Sequence, residues 1–225
     1  MKTRLLLDYL VASLSADVLA SPSIAPIFIP ERRPKESWKQ KVFCVLSSQS
    51  SAPRSATIAG LIVDSIPFFE NELTAREVEV ACSKLLKQPS VRYRFPNARA
   101  KQLSYCWLSF AQIADKYHEF ICLFSSEDAA RHEIVRLFPG MGLKQASMFM
   151  LNIGVAKGLA IIDVHILWYL SVCHGWSIRS LTEKAYLEAE DVLRRDASDH
   201  GVDLNVFDAI VWNAVKALKS HERHV

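Results

Sequence analysis

Apolar residues recur three and four apart along most of this chain, and prolines and capping residues cut the pattern into lengths typical of globular helices. Trp38, Val42, Val45 and Leu46 mark one inward face over residues 36–48. Ile58, Leu61 and Ile62 mark another, in a helix opened by Pro53 and closed at Pro67. Thr74-Ala-Arg-Glu77 has the spacing of a capping box, in which a hydroxyl and a carboxylate each satisfy a backbone N–H at a helix start, so a helix is predicted from there to Lys87. Asn97, after Pro96, predicts the cap of a longer helix reaching His118, and Ser126 predicts the cap of a helix over Glu127–Phe138. Asp163 precedes a helical pattern that runs to Ser171. Ser180-Leu-Thr-Glu183 repeats the capping-box spacing before a charged amphipathic helix over 182–197, and a last helix is predicted over 205–219. The run from Ala59 to Phe69 is strand-like by residue type, but it lies between helix signals without a hairpin partner and reads as helix.

Two stretches near the start behave differently. Pro22, Pro26, Pro30 and Pro34 fall every fourth residue, a spacing no helix interior tolerates, so this stretch is predicted to be an extended connector. Before it, Leu5, Tyr9 and Leu10 recur at helical spacing and Asp8 interrupts the apolar run, which favours an amphipathic helix over a signal peptide.

Composition strengthens the helical reading, because only 7 of 225 residues are glycine and a fold with few tight turns is mostly helix. A net charge of +3 does not by itself imply a polyanionic partner, so any nucleic-acid site is a local patch. Arg92, Arg94, Arg99 and Lys101 are the densest such cluster. No apolar run reaches membrane-spanning length, and no membrane partner is expected. Cys44, Cys82, Cys106, Cys122 and Cys173 lie far apart, and His118, His132, His165 and His174 lack ligand spacing, so no metal is expected. The cysteines read as buried free thiols of a reducing compartment, and His165 as a maker of structural hydrogen bonds.

Four of the seven glycines, Gly140, Gly142, Gly154 and Gly158, crowd into 19 residues. The first two belong to Leu137-Phe-Pro-Gly-Met-Gly-Leu-Lys-Gln-Ala146, which reads as a helix, a stop and a new helix start. Backbone amides gathered at a helix N-terminus form a site for an anion such as a nucleic-acid phosphate, and the same residues also make a plain tight turn. Lys144 stands in the first turn of a helix whose next residues, Ala146 to Ile153, carry no charge. The helix dipole disfavours a cation at that end, which suits an amine nucleophile, although a long lysine stem can also simply reach solvent. Asp163 is a natural helix N-cap. Beside an amine it is also the group that stabilises a cationic sugar and accepts a proton.

Leu137 to Leu167 resembles the helix-hairpin-helix, Gly/Pro and Asp signature of the DNA glycosylase superfamily, with the lysine of its bifunctional members. Within that superfamily the segments GLKQAS, LNIG and LAIIDVHIL are most similar to the type 2, archaeal-style 8-oxoguanine DNA glycosylase/AP lyases. WKQKVFCVLSSQS and YRFPNARA, beginning at Trp38 and Tyr93, extend the likeness upstream. The chain lacks the four clustered cysteines of iron–sulfur members and the N-terminal sheet domain of type 1 oxoguanine enzymes. Type 2 enzymes end at a lysine, whereas here Lys219 is followed by Ser-His-Glu-Arg-His-Val225.

The resemblance implies an all-α fold of two helical lobes with DNA bound across a cleft. One lobe is expected from 53–167, with the hairpin, and the other from 1–52 plus 168–225. It implies a Lys144 Schiff base assisted by Asp163, with Gly140, Met141 and Gly142 on a DNA phosphate. Gln49 is the candidate for filling the void left by a flipped nucleotide, with a helix-end polar residue as its plain alternative. Trp212 and Phe207 are candidates for the base pocket, with Trp107 and Phe95 behind, although each also fits core packing. No cofactor is implied beyond a monovalent cation at the hairpin. The expected partner is double-stranded DNA with a damaged or modified base, 8-oxoguanine first. A monomer is expected, cytoplasmic and associated with the nucleoid. Two alternatives stand beside this: the same scaffold acting on another modified base, as in foreign DNA, and a noncatalytic hairpin that only grips backbone.

Overall fold

A computed structural model of the chain describes residues 2–20, 34–70, 72–112, 119, 123–177 and 181–222. Among the described residues there are ten helices and no strand: α1 (Lys2–Ala20), α2 (Pro34–Ser47), α3 (Ala52–Ser65), α4 (Ala75–Lys87), α5 (Pro96–Ala111), α6 (Glu127–Leu137), α7 (Leu143–Asn152), α8 (Val164–His174), α9 (Glu183–Asp199) and α10 (Leu204–Glu222). The fold is all-α, as the periodicity requires.

Helix starts follow the local rules where the partners are three residues apart. Thr74 Oγ1 accepts from Glu77 N at 3.3 Å while Glu77 Oε2 accepts from Thr74 N at 2.9 Å, completing the capping box of α4. Ser126 caps α6 by accepting from Ala129 N at 3.1 Å. Thr182 caps α9 by accepting from Ala185 N at 3.2 Å, and Ser180 lies outside the described residues. Asn97 is not a cap. α5 begins two residues earlier than that cap requires, at Pro96 with Phe95 in the cap position, and Asn97 Oδ1 instead accepts from the Ser83 hydroxyl at 3.0 Å, tying α5 to α4. The expected extension of α5 to His118 passes outside the described residues after Gln112, as does the proline connector up to Arg33.

Two inward faces differ from expectation. Among the described side chains of α1 the buried ones are Leu7, Val11 and Ser15, whereas Leu5 and Tyr9 are 63% and 68% exposed. In α3 Ile58 and Ile62 are buried but Leu61 is on the rim. α3 also stops at Ser65, so the predicted helix through Phe69 gives way to a turn that places Phe68 edge-on to Trp38, centroids 5.2 Å apart.

The chain divides into two compact units, Met1–Phe28 with Ala156–Val225, and Ile29–Val155. These boundaries differ from 1–52 plus 168–225 and 53–167 at both crossings, and the reasons are local. α2 packs against α3, α5 and α7, with Trp38 in a ring cluster with Phe68, Trp107 and Phe110, so it belongs to the central unit. Residues 156–167 are bonded to α9 and α10 and belong to the terminal unit. In that unit α10 packs on α1, α8 and α9 around Leu170, Leu193, Phe207 and Val211, all fully buried.

Candidate active site

The hairpin joins α6 to α7 in the central unit. Buried Arg131 of α6 sets the two helices, pairing with Asp128 and donating from Nη1 to Ser147 Oγ of α7 at 3.0 Å. The turn is held from inside at three points. Met141 is buried, Cys106 Sγ donates to Pro139 O at 3.5 Å, and Gln102 lies against Gly140. Burial pushes the Cys106 thiol up to about 12, so it stays a donor at neutral pH. Pro139, Gly140 and Gly142 face outward.

The two glycines are glycine for different reasons. Gly140 has φ +85°, a left-handed backbone that strains any residue with a Cβ, so the turn itself calls for glycine; the Gln102 end that a Cβ would meet at 2.5 Å is flexible and can shift. Gly142 has φ −94° and ψ −176°, an extended backbone open to any residue, and a Cβ would meet only Gln145 Oε1, at an ordinary 3.5 Å. Nothing inside the unit demands a bare backbone at 142.

Of the amides expected to cradle a phosphate, Met141 N is used within the turn, donating to Phe138 O at 3.1 Å, so Met141 anchors the loop and does not offer its amide. Gly142 N donates to Gln145 Oε1 at 3.2 Å, a surface side chain that can swing away. The N–H groups of Leu143 and Lys144 lie in the first turn of α7 and have no acceptor within the helix. Lys144 is the second residue of α7 and half-buried. Beneath this helix lies a residue that sequence reasoning missed: Lys41 of α2 is fully buried, its Nζ 2.9 Å from the centroid of Phe138 and 4.4 Å from that of Phe149. Burial holds its amine well below the ordinary lysine range. Its only sequence signal was a lysine on the inward face of α2.

In the terminal unit, the segment before Asp163 is extended and its backbone is taken up by side chains of α9 and α10. Glu190 accepts from Ala160 N and Asp208 from Ile161 N, both at 2.8 Å. The Tyr186 hydroxyl donates to Ala160 O at 2.7 Å and accepts from Ile162 N at 3.3 Å. Arg194 of α9 donates to Gly158 O at 3.0 Å. Asp163 then caps α8, its Oδ1 accepting from His165 N at 2.7 Å and Ile166 N at 3.2 Å, while Oδ2 accepts from Trp212 Nε1 at 3.1 Å. The carboxylate is therefore fixed on both oxygens.

The remaining candidates separate. Trp212 is partly exposed and meets Asp163. Phe207 is fully buried against His200 and Tyr169 and offers no face to a base. Trp107 is likewise core, whereas Phe95 is 46% exposed under the Arg94 guanidinium. Gln49 is exposed at the bend after α2. The ring of His165 packs edge-on to Trp212 at 5.4 Å with Nδ1 buried and unpartnered, in place of the structural hydrogen bonds expected of it. The four described cysteines are free and buried, and Cys122 lies outside the described residues. Among the described residues no group of three His, Cys, Asp or Glu side chains is placed to hold a metal ion, and no helix is long and apolar enough to cross a membrane.

Known proteins resemble this chain over most of its length. The chain is 30% identical over 191 residues to an 8-oxoguanine DNA glycosylase/AP lyase of Korarchaeum cryptofilum, covering 82% of each. It is 28% identical over 200 residues to one from Thermoplasma volcanium, covering 88% of this chain and 89% of that one. The crystal structure of the Methanocaldococcus jannaschii 8-oxoguanine glycosylase/lyase with a 15mer DNA containing 8-oxoguanine is similar with a TM-score of 0.64 and 28% identity, covering 80% of both chains. The 8-oxoguanine DNA glycosylase of Thermotoga maritima is similar with a TM-score of 0.71 and 25% identity, over 93% of this chain and 97% of that one. A family model described as 8-oxoguanine DNA glycosylase matches residues 28–202, and the chain belongs to that helix-hairpin-helix family.

Proposed function

We propose that this protein is a bifunctional DNA glycosylase/AP lyase that excises 8-oxoguanine from duplex DNA. The observation that carries the reading is the pair Gly142 and Lys144: a bare backbone that the fold does not need, two residues before an amine in the first turn of the same helix. A phosphate drawn to the exposed glycines and the first-turn amides holds the strand while the amine meets the sugar.

The Lys144 amine attacks C1′ of the flipped nucleotide, the glycosidic bond breaks, and the base leaves with a proton. Ring opening gives an imine between Lys144 and C1′. Loss of a C2′ proton then expels the 3′ phosphate by breaking the C3′–O bond. Asp163, held on both oxygens, stabilises the cationic sugar and accepts the proton released by the amine. Phe95 and the free face of Trp212 are the aromatic surfaces offered to a base, and Gln49 is the residue offered to the vacated stack. Arg92, Arg94 and Lys101 add charge for the backbone. Carbonyl oxygens of the hairpin are hard donors of the kind a monovalent cation takes, and no step runs through such an ion. The protein acts as a monomer, in the cytoplasm at the nucleoid.

Borohydride should trap a covalent adduct between the protein and duplex carrying 8-oxoguanine, and Lys144→Gln should trap none. Trapping by Lys144→Gln at the parental level would place the nucleophile elsewhere. A panel of duplexes with single modified bases, run alongside, identifies the base by which one gives the fastest release.

A further inference from the structure

Trp212 enters the proposed chemistry as an aromatic surface, but its geometry gives it a second task. Its indole N–H is aimed at Asp163 Oδ2, 3.1 Å away and 49 residues distant along the chain. The other carboxylate oxygen is fully engaged by the two amides of the helix it caps. Those amides hold one oxygen against the cap, and among the hydrogen bonds to this carboxylate the indole alone engages the other. The ring is itself held: Lys216, one helical turn on, places Nζ 4.5 Å from the ring centroid, and His165 packs on its edge at 5.4 Å. A cation over an indole face polarises the ring and favours the N–H as a donor.

We infer that Trp212 is the positioning residue of the reaction, orienting the Asp163 carboxylate through its indole N–H. The inference rests on Asp163 being the catalytic carboxylate. It gives the last helix a part in catalysis through the proton it donates, distinct from any part its ring plays against a base. A residue that orients a reacting group affects the rate of the bound complex and leaves binding alone, whereas a stacking wall affects the binding of the lesion.

The test is Trp212→Phe, which keeps an aromatic face and removes the donor. With protein in excess over 8-oxoguanine duplex, the single-turnover rate of base release should fall on the order of tenfold to a hundredfold, the worth of one hydrogen bond to a charged group. Affinity for the same duplex should stay within about threefold. Trp212→His, which retains a ring N–H, should recover part of the rate, and it decides the matter if the phenylalanine variant loses helical content by circular dichroism. In an Asp163→Asn background the added Trp212→Phe change should have little further effect, since both act on one group. A parental rate in Trp212→Phe, or equal loss of affinity and rate in both single variants, overturns the positioning role. Asp163→Asn releasing base at the parental rate instead overturns the catalytic assignment of the aspartate, which keeps the two failures distinct.

Discussion

The two regions proposed to carry the chemistry are built on opposite plans. Between Leu159 and Asp163 the three consecutive amides of Ala160, Ile161 and Ile162 each have a side-chain acceptor, and both oxygens of Asp163 have donors. Across the hairpin the inward groups are satisfied, but the outward face is bare glycine, first-turn amides and a lysine. One region is complete without a ligand. The other leaves donors unspent. A carboxylate that must stabilise charge gains from rigidity, because its orientation is set before the substrate arrives. A phosphate grip gains from groups left unspent until an anion takes them.

The largest expected effect is on the complete region. Asp163→Asn should lose about a hundredfold or more in base release. It should fold normally, because asparagine caps a helix as well as aspartate does. Circular dichroism and a gel shift on one preparation check both halves. Next, Glu190→Ala removes the acceptor of Ala160 N from a site only 3% exposed, and should cost about 1–3 kcal/mol of stability in urea unfolding. Base release should slow with it, because the strap that leads into Asp163 loosens.

The hairpin should answer differently at its two glycines. Gly140→Ala forces a residue with a side chain into positive φ and should cost about 1–2 kcal/mol of stability. Gly142→Val should cost under about 1 kcal/mol, yet weaken damaged and undamaged duplex alike by roughly tenfold in a gel shift. Its salt slope should hardly change, since the amides displace few counterions. Equal losses of stability at both positions, or loss of base discrimination alone at 142, would break the contrast drawn between them.

The smallest effect is expected at a helix cap that belongs to neither region. Thr74→Ala should remove about 1 kcal/mol and leave base release untouched. The cap holds Glu77 below its usual carboxylate range, so it contributes fully above the ordinary glutamate value and less as pH falls through the lowered one. The difference between Thr74→Ala and parent, followed by thermal unfolding, should shrink toward acid.

What was legible in the sequence was what is decided within one helical turn. Thr74 with Glu77, Ser126, and Asp163 with the amides after it are relations between residues two or three apart. Asn97 obeyed the same grammar and was drawn instead to Ser83 on the neighbouring helix. Faces failed where packing chose among several apolar residues, as with Leu61 and with Leu5 and Tyr9. Lys41 and Arg131 were invisible as core, because charge in a sequence signals solvent unless its partners are known. The strap before Asp163 was invisible for another reason. Its partners Glu190, Asp208 and Trp212 are 30 to 49 residues from the groups they hold, and no local pattern announces such pairs.

The terminal unit is assembled from both ends of the chain, with α1 packed on α8 and α10. During synthesis the unit 29–155 is completed first, so the hairpin and Lys144 can fold while the rest of the terminal unit is still emerging. Asp163 follows soon after, but Asp208 and Trp212 lie on the last helix. The hairpin is therefore complete before Asp163 is fixed on both oxygens, and α1 waits, with Leu7 and Val11 uncovered, for the helix made last. In a chain of this topology the setting of that carboxylate is left to the end of manufacture.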